Sequence, residues 1–321
     1  MRRFLQRLAA ISALLLSLAT AVPAWAETLY VTMSDDTVVT YDTSSNNATT
    51  IAGTKATFAN RDSGIDDPQG LAFDSAGNLF VGNRINIRKY DSLGNGSTVT
   101  STGVAGAVSL AFDAANNLFV ANLNFNNILK ITPSGNQSTF ASLPNAWGVA
   151  TDSAGNVYAS NYTGTFINSD SITKFNASGN GSLFASSLTT PRLAFDSAGN
   201  LYAANGDRIT KFNSAGVGST FATTDGFYPT DITFDSAGNL YATDFNNSTI
   251  SKFDSAGAFQ FSWATKAEFD FFGGSPRSLA FRLESAPVPE IDPAGMGSVL
   301  ALVTGTLSLL ERRRLKVKRV A

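Results

Sequence analysis

The chain contains neither cysteine nor histidine, and this removes most of the chemistry usually sought first. Without imidazole or thiol there is no Ser-His-Asp relay, no cysteine nucleophile, and no ligation of zinc or haem by those side chains. What remains is carboxylates, amides, lysine, arginine, tyrosine, serine and an oxygen-ligated metal. Two groups of residues stand where they could use it. Asn83, Asn122, Asn161, Asn205 and Asp244 each end a short apolar run at the same point of a repeating unit. Together they would offer a ring of oxygens to a metal ion or to sugar hydroxyls. Taken singly, each can bond its own backbone and close a turn. The second group lies where the repeats differ: Trp147, Arg192, Tyr228, Asp231 and Arg277 precede or open an apolar run. Aromatic rings beside amides, carboxylate and guanidinium suit contacts to carbohydrate or peptide, and they suit packing between neighbouring elements equally well.

The elements that position these residues come from one unit written repeatedly. Leu71-Ala72-Phe73 reads as a short strand, Asp74-Ser75-Ala76-Gly77-Asn78 as a turn, and Leu79-Phe80-Val81 as the next strand. Asp supplies the side-chain acceptor for such a turn and Gly takes its positive φ. Ile87-Arg88-Lys89-Tyr90, a second turn at Asp91-Ser92-Leu93-Gly94, and Ser97–Thr100 complete four antiparallel strands. The anchor positions Phe73, Phe112, Thr151, Phe195 and Phe234 are 39, 39, 44 and 39 residues apart. Short strands at a period near 40 predict a ring of propeller blades. The Asp-headed turns lack the spaced carboxylates and bidentate Glu of a calcium loop, so turn chemistry accounts for them.

Five complete copies leave complementary fragments at the two ends. Ser275–Phe281 is a first strand without successors, and Thr28–Thr32, Val38–Asp42 and Ala48–Ile51 are later strands without a first. Joined, they predict a sixth blade stitched from both ends, which closes the ring without a free sheet edge between first and last blades. The expected fold is thus all-β, a six-bladed propeller over residues 27–286. In each blade the entry to the first strand and the connection between the second and third strands share one face. That face holds both candidate groups, and the Asp-headed turns occupy the other.

The flanking segments have different compositions. Residues 1–26 carry Arg2, Arg3 and Arg7, then an apolar run, then Ala24-Trp25-Ala26, the pattern of a secretory signal peptide cut after Ala26. Ala294 to Leu310 is uncharged and is followed by Arg312, Arg313 and Arg314. This predicts a transmembrane helix over 294–310 with a basic flank that stays cytoplasmic. Between Glu27 and Ala286 there are 14 basic and 22 acidic residues, a net charge of −8. Such a balance argues against nucleic acid or an anionic membrane surface as a partner. With no disulfide available, stability must come from a core, and some 260 residues suffice for one.

The segments Val81-Gly82-Asn83 leading to Ile87-Arg88-Lys89-Tyr90, and Ala204-Asn205-Gly206-Asp207-Arg208-Ile209-Thr210-Lys211-Phe212, resemble NHL repeats. The resemblance runs from about Thr28 to Glu284 and implies a six-bladed propeller. Related propellers include gluconolactonase-like metal hydrolases and streptogramin lyases, and the lyases use a catalytic histidine that this chain lacks. Residues 287–321 resemble a PEP-CTERM sorting signal: Val288-Pro289-Glu290-Ile291-Asp292-Pro293, an apolar span, then Arg312–Arg314. That resemblance implies processing by exosortase near Pro289-Glu290 in a Gram-negative, exopolysaccharide-making cell. The variant Glu-Ile-Asp-Pro leaves the cut position open. The expected protein is exported, tethered on the periplasmic side of the inner membrane, and then placed at the cell surface or outside. There it acts as a non-catalytic scaffold for exopolysaccharide or an envelope protein. The alternative is a lactonase-like hydrolase that holds a divalent cation such as calcium through Asn161, Asn205, Asp231 and Asp244.

Overall fold

The computed structural model describes residues 27–43, 56–164, 170–189, 192–223, 228–263 and 275–282. By its contacts the chain divides into Met1–Leu283 and Glu284–Ala321, and every described residue belongs to the first unit. The expected signal peptide, sorting tail and transmembrane helix lie outside the described residues.

Among the described residues, 24 strands form six four-stranded sheets. Five sheets follow the repeat, at 70–100, 107–142, 146–188, 192–223 and 229–263. The sixth is ordered Pro276–Arg282, Thr28–Met33, Thr37–Asp42, Ala56–Ala59. Thr28 pairs with Arg282, and Val31 with Leu279, so the last strand of the ring is sewn to the first. Its outermost strand is Ala56–Ala59, paired through Val39 and Thr57, and not the Ala48–Ile51 segment expected from the sequence, which lies outside the described residues. The segment between Asp42 and Ala56 is longer than any hairpin in the complete repeats, so repeat arithmetic put the strand too early.

The first strands of successive blades touch in a closed cycle, from Gly70–Phe73 round to Pro276–Arg282 and back. They enclose an axial channel of about 270 Å³ lined from all six blades. The apolar residues do not form one central core. They fall into six clusters, and each joins two neighbouring blades.

The repeat Phe is the joint between blades. The aromatic on each second strand meets the first-strand Phe of the next blade edge to face: Tyr30–Phe73, Phe80–Phe112, Tyr158–Phe195, Tyr202–Phe234 and Tyr241–Phe281, at centroid distances of 4.7 to 5.2 Å. Each such pair contributes about 0.5–1.5 kcal/mol beyond the area it buries. The third blade breaks the series, because Thr151 replaces Phe. There the Thr151 hydroxyl donates to the Phe112 carbonyl at 2.7 Å, so a hydrogen bond takes the place of the ring contact. In the five complete blades a lysine on the third strand lies over the second-strand aromatic, as Lys211 does over Tyr202 at 5.2 Å.

The Asp-headed turns consume their own carboxylates. Asp74 Oδ1 accepts from the N–H groups of Ala76 (3.0 Å) and Asn78 (2.8 Å), and Oδ2 accepts from Asn78 Nδ2 (2.8 Å). The pattern returns at Asp113, Asp152, Asp196 and Asp235. At the outer hairpins a glycine serves a second purpose. Gly216 has φ +79°, and a Cβ there would lie 1.9 Å from the Phe184 carbonyl oxygen of the preceding blade. Only a residue without a side chain lets the two backbones approach this closely.

Candidate functional site: the loop face and channel mouth

Each residue of the expected oxygen ring ends its second strand on one face and bonds to a loop within its own blade. Asn83 Oδ1 accepts from the Asp66 N–H at 3.3 Å, while its amide donates to the Gly64 carbonyl and to Asn86 Oδ1. Asn122 Oδ1 accepts from the Ala105 N–H at 2.9 Å. Asn161 Oδ1 accepts from the N–H and hydroxyl of Ser171 at 2.8 and 2.9 Å. Asn205 Oδ1 accepts from the Thr189 N–H at 2.8 Å, and its amide donates to Thr210 Oγ1 at 3.2 Å. Asp244 accepts from the N–H groups of Asn246 and Asn247 and from Asn247 Nδ2. In the first, second and fourth blades the bond pins the chain entering the first strand to the end of the second. Among the described residues no three His, Cys, Asp or Glu side chains converge as a metal-ligand group.

Of the five residues singled out at the strand entries, Trp147 and Arg192 touch and Asp231 lies nearby. Arg192 begins its first strand, and its guanidinium reaches across the third blade to donate to the Val108 carbonyl of the second. The ring of Trp147 covers it, with Cζ 4.6 Å from the ring centroid. The carboxylate of Asp231 in the fifth blade lies near enough to act on this cation electrostatically, without a direct ion pair between them. Its Oδ2 accepts from the Ser278 hydroxyl and from the Leu279 N–H (3.1 Å) of the closing blade, and its Oδ1 accepts from the Ile232 N–H (3.0 Å). Both charged groups are buried. Burial pushes the Asp231 carboxyl above its ordinary range, and the Arg192 charge and three donors partly offset it. Burial likewise pushes Arg192 below its ordinary value, with Asp231 opposing, yet a guanidinium stays protonated at any working pH. Arg192 Nε is buried and has no hydrogen-bond partner among the described residues.

The other two stand apart. Arg277 pairs with Asp67 Oδ1 and reaches the Pro68 carbonyl at 3.4 Å, tying the closing blade to the entry of the first. Asp67 in turn donates its N–H to Asp36 Oδ1 at 2.7 Å, and Asp36 pairs with Arg61. Burial pushes the Asp36 carboxyl up, but Arg61 and the Asp67 N–H outweigh it and hold it below the usual range. Tyr228 is 55 % exposed at the entry to the fifth blade. Sequence reasoning did not single out Ser278, which orients Asp231. Its only signal was a hydroxyl at the first-strand position where the fourth and fifth repeats carry Arg192 and Asp231.

These groups act as a crossbar at the channel mouth. Arg192 links the fourth blade to the second, and Asp231 links the fifth to the closing blade. Below them Ser109, Thr151, Thr233 and Ser278 join Leu71, Val149, Leu193 and Leu279 along the channel wall. A second cavity of about 500 Å³ opens between the outer strands of the third and fourth blades, and Asn205 is the one candidate that reaches it.

The family model for the NHL repeat matches residues 228–253, the fifth blade from its entry to the end of its third strand. No curated protein matches the chain. Among solved structures, a chain from a nidogen/laminin complex is similar over 81% of this chain and 99% of its own length, with a TM-score of 0.68 and 18% identity. A calcium-binding regucalcin from Agrobacterium tumefaciens is similar over 62% of this chain and 74% of its own, with a TM-score of 0.53 and 13% identity. A virginiamycin B lyase from Staphylococcus aureus is similar over 62% and 70%, with a TM-score of 0.50 and 15% identity. At such identities the likeness extends to the fold alone: a six-bladed β-propeller carrying an NHL repeat, shared by proteins with unlike chemistry.

Proposed function

We propose that this chain is an exported propeller of the cell envelope or extracellular matrix that binds a partner without transforming it. The observation that carries this reading is the state of the channel mouth. Both carboxylate oxygens of Asp231 and Asp244 already accept from protein donors, as do the side-chain oxygens of Asn161 and Asn205. A cation at that ring would compete with these bonds, including the one by which Asn205 holds the entry of its blade. Binding on the loop surface involves no such competition. The solved propeller from the nidogen/laminin complex comes from a complex between proteins, which supports a binding role by analogy of fold.

Delivery rests on the segments at either end of the ring. Export by residues 1–26, tethering at 294–310 and processing by exosortase near Pro289-Glu290 form one route to the envelope. Replacing Arg312, Arg313 and Arg314 with Ala is expected to move the full chain between membrane and released fractions. Unchanged fractionation would remove the sorting role.

The hydrolase alternative is tested on the same preparation. Titrating the full chain with calcium, manganese or zinc is expected to leave its melting temperature flat. A resident cation at 100 times its Kd would add about 2.7 kcal/mol, so a saturable rise with any of the three metals would overturn the non-catalytic reading in favour of the hydrolase.

A further inference from the structure

On the loop face, an exposed aromatic and two half-buried ones gather at the second-to-third-blade boundary. Phe125 is 53 % exposed at the end of a single 3-10 turn, Leu123–Phe125, which Asn126 closes in the left-handed conformation. Two bonds hold that turn to the chain entering the next blade, and a third continues from it. The Leu143 N–H donates to the Asn126 carbonyl (3.0 Å), the Asn145 N–H donates to Asn126 Oδ1 (2.8 Å), and the Tyr162 N–H donates to the Asn145 carbonyl (2.9 Å). Asn145, itself at φ 53°, is therefore the hub on which the loops of Phe125, Trp147 and Tyr162 meet. Trp147 and Tyr162 lie 5.1 Å apart at an angle of 43°, with Arg192 packed against Trp147. The side-chain amides of Asn124 and Asn145 are exposed and have no partner among the described residues.

We propose that Phe125, Trp147 and Tyr162 form a preorganised platform for a neutral polysaccharide, whose sugar rings stack on the aromatics while its hydroxyls meet the amides of Asn124 and Asn145. This deepens the envelope-binding reading and rests on it. Aromatic faces offer broad apolar contact with little rotamer entropy to lose, and loops already fixed by hydrogen bonds reduce the ordering cost of binding. Primary amides both donate and accept, as a hydroxyl ligand requires. The charge balance selects among polymers: a domain at net −8 repels acidic glycans and nucleic acid. A protein interface would centre on a contiguous apolar patch with charge at its rim. Here the rings are interleaved with exposed asparagines, while Arg192 and Asp231 lie toward the centre of the face.

The test is affinity electrophoresis of the full chain through gels containing dextran or galactomannan, both neutral, or alginate, which is anionic. Gelatin-coated beads serve as the protein probe. The wild type is expected to be retarded by at least one neutral polymer. Phe125→Ala should weaken that retardation about fivefold, with an unchanged melting temperature because the ring is exposed, and Phe125→Tyr should preserve it. Migration of Phe125→Ala identical to wild type overturns the platform. Retention by alginate or gelatin alone also overturns it and leaves a binding function in place. Retention by none of the four removes both.

Discussion

The turn face carries nearly the same five residues in every complete blade, whereas on the loop face no two first-strand entries are alike. Asp196 and Asp231 show what this difference means physically. Asp196 heads a turn and is bonded by the Asn200 side chain and N–H, the Ala198 N–H and the Tyr202 hydroxyl. Burial pushes its carboxyl up, yet those donors and Lys211 bring it below the ordinary range. Asp231 has comparable donors, but it is more deeply buried, and burial wins. Repetition marks positions where a side chain serves its own backbone. Divergence marks positions where it is placed against another blade or left for a ligand.

The sharpest way to break the comparison is at glycine. Gly216→Ala on the turn face combines a left-handed backbone with a contact to the Phe184 carbonyl that must give way. It should cost about 3 kcal/mol, measured by chemical denaturation. Gly199→Ala has the same sign of φ but open space around it, and should cost only about 1 kcal/mol. Equal losses would mean that the close approach of neighbouring blades contributes nothing.

Acid separates the two aspartates with a smaller effect. The depressed Asp196 contributes stability that is complete above the ordinary carboxylate value of about 4 and is lost as pH falls through its folded value. The raised Asp231 behaves in the opposite sense. Its charge costs stability near neutrality, and the cost is relieved as pH falls through its folded value toward about 4. Melting curves from pH 8 to 3 should show the gap between wild type and Asp231→Asn moving in favour of wild type on acidification to about pH 4. The advantage of wild type over Asp196→Asn should hold to about that pH and shrink below it. Parallel curves for both variants would erase the distinction between the faces.

Most of the ring was legible because its determinants are local and repeated. Asp-Ser-Ala-Gly-Asn turns and a spacing near 39 define the blades, and unmatched strands at the two ends predict the stitched sheet. The outer strand of that sheet was misplaced because nothing local distinguishes Ala48–Ile51 from Ala56–Ala59 once the repeat spacing is interrupted. The site was legible only in part. Trp147, Arg192 and Asp231 could be placed on one face by blade geometry, but their joining across the channel depends on contacts between blades far apart in sequence. Arg277 met Asp67 for the same reason, and no local pattern could have predicted it. Phe125 escaped notice because its exposure depends on the turn closed by Asn126, which spacing alone does not reveal.

The pairing of Thr28 with Arg282 has a kinetic side. Most ladder contacts in the ring join residues a few positions apart, so each blade can form while its neighbours are still unstructured. The seam instead joins opposite ends of the described chain, and closing so long a loop costs about 5 kcal/mol of chain entropy if nothing else is yet in place. Preformed blades shorten the effective loop and lower that cost, which makes the seam the natural last step of folding. Until it forms, the faces of the first and fifth blades that will meet Tyr30 and Phe281 stand open. An arc halted at that stage could recruit the end of a second chain instead of its own.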